Sequence, residues 1–166
     1  MSTPTILVAE DGHEYTTNLE RFLGDEFRFV RAGDGEAALA AVAEGAFDAI
    51  FLDMRFDRAE RLLGDLGALV RRFSGDEARA RRFLEDNQGT YVLAALRAAG
   101  CPLPVIFSYD FDGEPRRFAN LSRRHGPLAY LNDTAGPADM RDALKSAARG
   151  QAGRGAAGFG GPDPLT

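Results

Sequence analysis

The chain has 166 residues, 45% of them apolar and 27% charged, with a net charge of −5. That length suffices for one domain with a full hydrophobic core, and the acidic balance argues against a dedicated nucleic-acid binder. One cysteine, Cys101, and two histidines, His13 and His125, exclude an internal disulfide framework and argue against a zinc centre.

Residues 6–9 are a short apolar run that stops at Glu10-Asp11. A buried parallel strand reads this way where its end opens into a loop. The run is too short for a signal peptide or a membrane span and lacks a basic leader, so a cytoplasmic location with no membrane partner is expected. Tyr15, Leu19, Phe22 and Leu23 follow at helical spacing. Residues 27–30 give a second strand, and Gly33-Asp34-Gly35 a turn. The alanine-rich stretch 36–44 reads as a helix stopped by Gly45. Residues 47–52 form a third apolar run, ending at Asp53.

The next strand, 104–108, comes only after three helical segments. Leu62, Leu63, Leu66, Leu69, Val70 and Phe73 make one amphipathic stripe. Ser74 is expected to cap a second segment reaching Glu85, with Glu77 three residues on. The third spans 90–99. Residues 116–124 suggest a short helix, 128–131 a fifth strand, and 137–149 a last helix opened by Pro137. The Gly/Ala-rich stretch 150–166 is expected to be a disordered tail.

Strands alternating with helices predict an α/β domain over 1–149, with a parallel sheet covered on both faces. The pattern fits the flavodoxin-like strand order 2-1-3-4-5, with residues 57–86 as a helical insertion between the third strand and the third framework helix. In that order the site lies at the strand C-termini, at the switch point between the first and third strands. Glu10, Asp11 and Asp53 end those two strands. Three converging carboxylates repel unless a cation joins them, and magnesium, which takes one or two carboxylates and keeps waters, is the natural one. A carboxylate beside it can accept a phosphoryl group. The plainer account is that loops are solvated and acidic residues often end strands.

Three stretches carry a resemblance. They are Ile6-Leu7-Val8-Ala9-Glu10-Asp11, Ala32-Gly33-Asp34-Gly35-Glu36-Ala37-Ala38-Leu39 and Phe47-Asp48-Ala49-Ile50-Phe51-Leu52-Asp53. In order and spacing the chain resembles the response-regulator receiver domains of two-component signalling. The likeness is looser through Leu103-Pro104-Val105-Ile106-Phe107 and Gly126-Pro127-Leu128-Ala129-Tyr130-Leu131. It implies Glu10 and Asp11 as the magnesium pair, with Asp53 as phosphoacceptor and third ligand. The backbone carbonyl of Arg55 would be a further ligand and Tyr130 the aromatic switch. A histidine kinase or another signalling protein is the implied partner, with output by protein–protein contact rather than enzymatic turnover.

The departures from that family are specific. Its lysine after the fifth strand is replaced by Asp133, and the only lysine, Lys145, lies too far along the last helix to substitute. Arg55, Arg58 and Arg61 are candidates to reach in, since a guanidinium suits phosphate geometry. The small switch hydroxyl falls on Tyr109 by strict count and on Ser108 one place early; a shift of one residue reverses the face of a strand side chain. Phe56-Asp57 replaces the usual Met-Pro. The 57–86 insertion borders the site and reads either as a lid or docking surface or as an extra helical pair, and its apolar stripe could also serve self-association as a homodimer. Arg116, Arg117, Arg123 and Arg124 read chiefly as a solvated helix face.

Two functions follow as expectations. One is an atypical receiver that binds magnesium and takes a phosphoryl group on Asp53. The other is a phosphorylation-independent pseudo-receiver acting as an interaction module. An enzyme on this fold fits less well. An aspartate phosphatase would want a second aspartate where Arg55 stands, and a P-loop would need a Gly-Lys-Ser/Thr that is not there.

Overall fold

A computed structural model of the chain describes residues 2–152. Of the stretch read as a tail, positions 153–166 lie outside the described residues. In chain order the elements are β1 (Thr5–Ala9), α1 (Glu14–Leu23), β2 (Arg28–Ala32), α2 (Gly35–Glu44), β3 (Ala49–Asp53) and α3 (Leu66–Arg72). Then come α4 (Glu77–Asp86), α5 (Gln88–Ala98), β4 (Val105–Ser108), α6 (Pro115–His125), β5 (Leu128–Leu131) and α7 (Pro137–Ala152). The five strands form one parallel sheet in the order β2-β1-β3-β4-β5. This is the flavodoxin-like arrangement the sequence predicts.

The strands read as unbroken apolar runs because both faces of the sheet are covered. Leu7, Ala9, Ile50, Leu52, Val105 and Phe107 pack on the side of α2 and α5, with Val92, Leu93 and Leu96. Ile6, Val8, Ala49, Phe51 and Ile106 face the other way, against Leu19 and Leu23 of α1 and Leu144 of α7. Period-two alternation thus divides each strand between two cores.

Several boundaries differ from the sequence reading. Leu62 and Leu63 precede the helix that continues their stripe: α3 begins only at Leu66, where Asp65 accepts a bond from the Ala68 N–H at 2.9 Å. Ser74 does not cap α4. It has φ +56° and is followed by Gly75 at φ +87°, so the chain reverses there, and Asp76 caps α4 through the Arg79 N–H. An aspartate two residues on outcompetes the serine because the reversal removes Ser74 from the helix start. Phe22 is 53% exposed rather than inward. Helix α7 runs three residues past position 149.

The insertion has its own small core. Leu69, Ala80 and Leu84 are buried between α3 and α4, which pack chiefly on each other. Its attachment to the main domain is polar and close. The buried Gln88 carboxamide accepts from the Leu63 N–H at 2.7 Å and donates to the carbonyls of Leu63 at 3.0 Å and Leu84 at 3.3 Å. The Phe56 N–H donates to the Glu85 carbonyl, and the Gly89 N–H to the Met54 carbonyl, both at 2.9 Å. A Cβ on Gly89 would sit 2.5 Å from the Asp53 carbonyl oxygen, so only glycine lets α5 start this close to β3. Phe56, standing where the family usually has Met, is wholly buried in the larger core. Among the described residues no helix is long and apolar enough to cross a membrane.

Candidate acidic site

The C-terminal ends of β1, β3 and β4 bring Glu10, Asp11, Asp53 and Ser108 to one edge of the sheet, with Ala9 paired to Leu52 and Asp53 to Ser108. The strand order reverses between β1 and β3, which opens a crevice there.

Glu10 is buried, and its carboxylate is committed to α1. One oxygen accepts from the Tyr15 N–H at 3.1 Å; the other accepts from the Thr16 N–H at 2.6 Å and the Thr16 hydroxyl at 2.7 Å. His13, at the helix cap, makes no such bond with its side chain, so Glu10 satisfies the first amides of α1 and complements the dipole. This role is not evident from Glu10-Asp11 as an adjacent pair.

Asp11 is 2% exposed in its side chain. Its Oδ2 accepts from the Arg58 N–H at 2.6 Å, and the Arg58 guanidinium lies 3.8 Å from its Oδ1. The same guanidinium holds Glu14 in a two-pronged pair at 2.9 and 3.0 Å. That pairing pulls the Glu14 carboxyl down to about 2 and raises Arg58 above its ordinary value. Arg58 with Asp11, Gly12, His13, Glu14, Thr17 and Asn18 lines an open cleft beside the strand ends. Of the three candidate arginines, only Arg58 reaches the site. Arg55 pairs with Asp57 at 3.3 Å and Asp86 at 3.1 Å, and Arg61 with Asp34 at 3.0 Å and with Glu36. Lys145 pairs with Glu26 at 3.1 Å, away from the site.

Asp53 accepts from the Met54 N–H at 2.8 Å. Burial pushes its carboxyl up to about 7; the nearby charges of Asp11 and Glu10 add to this, while the amides of Met54 and Arg55 oppose it.

Ser108 and Tyr109 separate cleanly. Ser108 lies on Asp53's side of the sheet, paired in register with it. Tyr109 points to the opposite side, where its hydroxyl bonds Glu114 at 2.5 Å and its ring meets Phe111. Tyr15 itself went unnoticed in the sequence, where it reads as one more apolar helix position. Its ring packs on Phe51, and burial raises its phenol, with the charges of Asp53, Glu10 and Asp133 adding to the effect. Asp133 is solvent-exposed and supplies negative charge where the family has a lysine. Tyr130 stands apart from Asp53, edge-on to Phe111 and Phe118, with its hydroxyl on Asp112 at 2.6 Å. Arg117 is no solvated side chain: it bonds Asn87 at 2.7 Å and lies over the Tyr109 ring.

Both Glu10 oxygens accept hydrogen bonds from α1 and Asp11 accepts from Arg58, so a magnesium ion at this edge would compete with the Arg58 guanidinium for Asp11. Among the described residues no three His, Cys, Asp or Glu side chains gather as a cage.

No family model matches the chain, and no curated protein does. Solved structures do. The signal receiver domain of a Luxo repressor protein from Vibrio parahaemolyticus is 14% identical, with 93% of this chain and 96% of that one covered at a TM-score of 0.65. The receiver domain of NtrX from Brucella abortus is 19% identical, with 87% and 98% covered at 0.61. A chain of the adenylate cyclase from Rhodopirellula baltica is 17% identical, with 92% of each covered at 0.62. The chain therefore has the fold of the response-regulator receiver domains.

Proposed function

We propose that the chain is a receiver-fold signalling module of the cytoplasm that works by protein–protein contact without phosphoryl transfer. One observation carries this reading: Arg58, delivered by the insertion, occupies Asp11 through both its amide and its guanidinium. The acidic edge thus has a cation built into the chain. Two further features support it. Asp133 adds a negative charge where a dianionic phosphoryl group would need a positive one. The half-buried Tyr15 phenol also feels the charges of Asp53, Glu10 and Asp133, so a bulky aromatic side chain lies near this edge.

The second reading keeps Asp53 as phosphoacceptor, loaded by a histidine kinase, with magnesium at Glu10, Asp11, Asp53 and the Arg55 carbonyl. The proximity of Asp11 and Glu10 to Asp53 favours it, because three acidic groups at one edge form an anionic pocket. Amide NMR of the labelled full chain, titrated with magnesium and then with beryllofluoride, separates the two. The interaction-module reading expects no shifts around Asp11, Asp53 and Ser108 at millimolar ligand. Shifts there that vanish in Asp53→Ala would overturn it.

A further inference from the structure

The arginines in and just before the insertion fall into two groups. Arg55, Arg58, Arg61 and Arg81 are ion-paired. Arg71, Arg72, Arg79 and Arg82 are exposed and have no carboxylate pair among the described residues. Three acidic residues at the ends of α4 are engaged elsewhere: Asp76 caps the helix, Glu85 holds Arg81 and Asp86 holds Arg55.

Two of these arginines, Arg72 and Arg79, lie on an aromatic pair. Phe73 and Phe83 meet at 5.6 Å between centroids. Arg79 lies 4.7 Å from the Phe73 centroid, and Arg72 lies 5.9 Å from Phe73 and 5.6 Å from Phe83. Arg82 is one turn after Arg79 and so shares its helix face. A guanidinium stacked flat on a ring keeps its N–H edges directed outward and loses little further freedom on binding. Arg71 and Arg72 are partly accounted for as cations at the C-terminus of α3. Arg79 and Arg82 have no such explanation. The buried Leu69, Ala80 and Leu84 beneath fix the two helices, so the patch is preorganised.

We infer that the Arg72–Arg79–Arg82 face of the α3–α4 hairpin is a docking surface for a short acidic segment of a partner protein. Charge complementarity selects the occupant. Two arginines three residues apart on a helix are separated by about 4.5 Å along its axis, which matches carboxylates one turn apart on a partner helix. A nucleic acid is disfavoured because its continuous phosphate backbone would run past Asp76, Glu77, Glu85 and Asp86, on a chain of net charge −5. The inference deepens the interaction-module reading and rests on it, but it does not depend on the state of Asp53.

The test uses the labelled full chain and a short helical peptide with Glu and Asp one turn apart, beside the same peptide carrying Gln and Asn. Arginine Nε–Hε and backbone shifts are read for the parent chain, for Arg79→Gln/Arg82→Gln and for Asp53→Ala. The expected result is saturable shifts at Arg72, Arg79, Arg82 and Phe83 with the acidic peptide alone. Affinity falls at least tenfold in the double variant, whose thermal melt stays that of the parent, and is unchanged in Asp53→Ala. No shifts at millimolar peptide, or shifts centred on α6, overturn the inference while leaving the reading of the acidic site intact. Tighter binding of an oligouridylate assigns the face to nucleic acid instead. Concentration-dependent shifts of the same residues without peptide assign it to a second copy. Either result overturns the peptide as occupant.

Discussion

At the scale of single residues, charge is redistributed around Asp53 in a way that composition does not announce. Glu10 and Asp11 look equivalent in sequence, yet Glu10 belongs to the start of α1 and Asp11 to Arg58. The consequence for Asp53 is a pH-dependent cost. Its carboxyl is raised from the usual 3.8 to about 7, so the folded chain binds more protons than the unfolded chain between those values. Stability from this group therefore falls as pH rises from about 4 to about 7 and is level on either side. One pKa unit is worth about 1.4 kcal/mol; with a discount for residual solvent access, the penalty at pH 8 is roughly 1–3 kcal/mol. Asp53→Asn removes it. Urea unfolding should show the variant more stable than the parent at pH 8 and equal to it near pH 4; equal stability at both would mean that Asp53 is well solvated. Arg58→Ala tests the neighbouring pair. The Glu14 carboxyl, now held at about 2 by that guanidinium, should return towards 4.5, as carbon-detected NMR titration would read directly. A Glu14 that still titrates near 2 would deny Arg58 its role.

At the scale of elements, legibility follows burial. The strands were readable because two-sided burial forces unbroken apolar runs, and they appear within two residues of where Ile6, Phe27, Phe47 and Leu128 place them. The helices of the insertion were readable in number but not in their starts. The stripe from Leu62 continues through a non-helical segment because Leu62 and Leu63 pack on the main core by a different route. Nothing local distinguishes that case from a helix. Gln88 is a harder miss. A glutamine between asparagine and glycine carries no pattern, yet its carboxamide completes the backbone bonding of Leu63 and Leu84. Leucine at this position keeps the volume and leaves an N–H and two carbonyls without that partner, each worth about 1–3 kcal/mol when buried. Gln88→Leu should therefore cost roughly 2–4 kcal/mol in denaturant unfolding. Phe56→Ala, by contrast, acts through cavity formation and should cost about 3–5 kcal/mol. A Gln88→Leu variant as stable as the parent would mean that water replaces the amide.

At the scale of the molecule, the site could be read from the ends of β1 and β3, but its closure could not, because it comes from a segment that local pattern marks only as an interruption. The insertion and the two residues before it contribute twice, through different parts. The 55–63 segment enters the domain, placing Phe56 in the core and Arg58 on the acidic edge, whereas α3 and α4 lie outside it on a core of their own. The two parts should be separable. The Gln88 carboxamide bonds both Leu63 and Leu84, so the base of the hairpin is only a few ångströms wide. A pair of glycines can therefore join Gly64 to Glu85 in place of positions 65–84 without stretching either end. The shortened chain loses the cover that α3 and α4 give Leu62 and Tyr91, at a cost of about 1–3 kcal/mol for each large apolar side chain uncovered. It keeps the five strands, Phe56 and the Arg58–Asp11 bond. Cooperative unfolding, dispersed amide spectra and a Glu14 carboxyl still near 2 are the expected outcome, together with loss of acidic-peptide binding. A collapsed spectrum would make the hairpin part of the main folding unit. A Glu14 that titrates normally in a folded shortened chain would show that the hairpin, and not the 55–63 segment alone, holds Arg58 on the acidic edge.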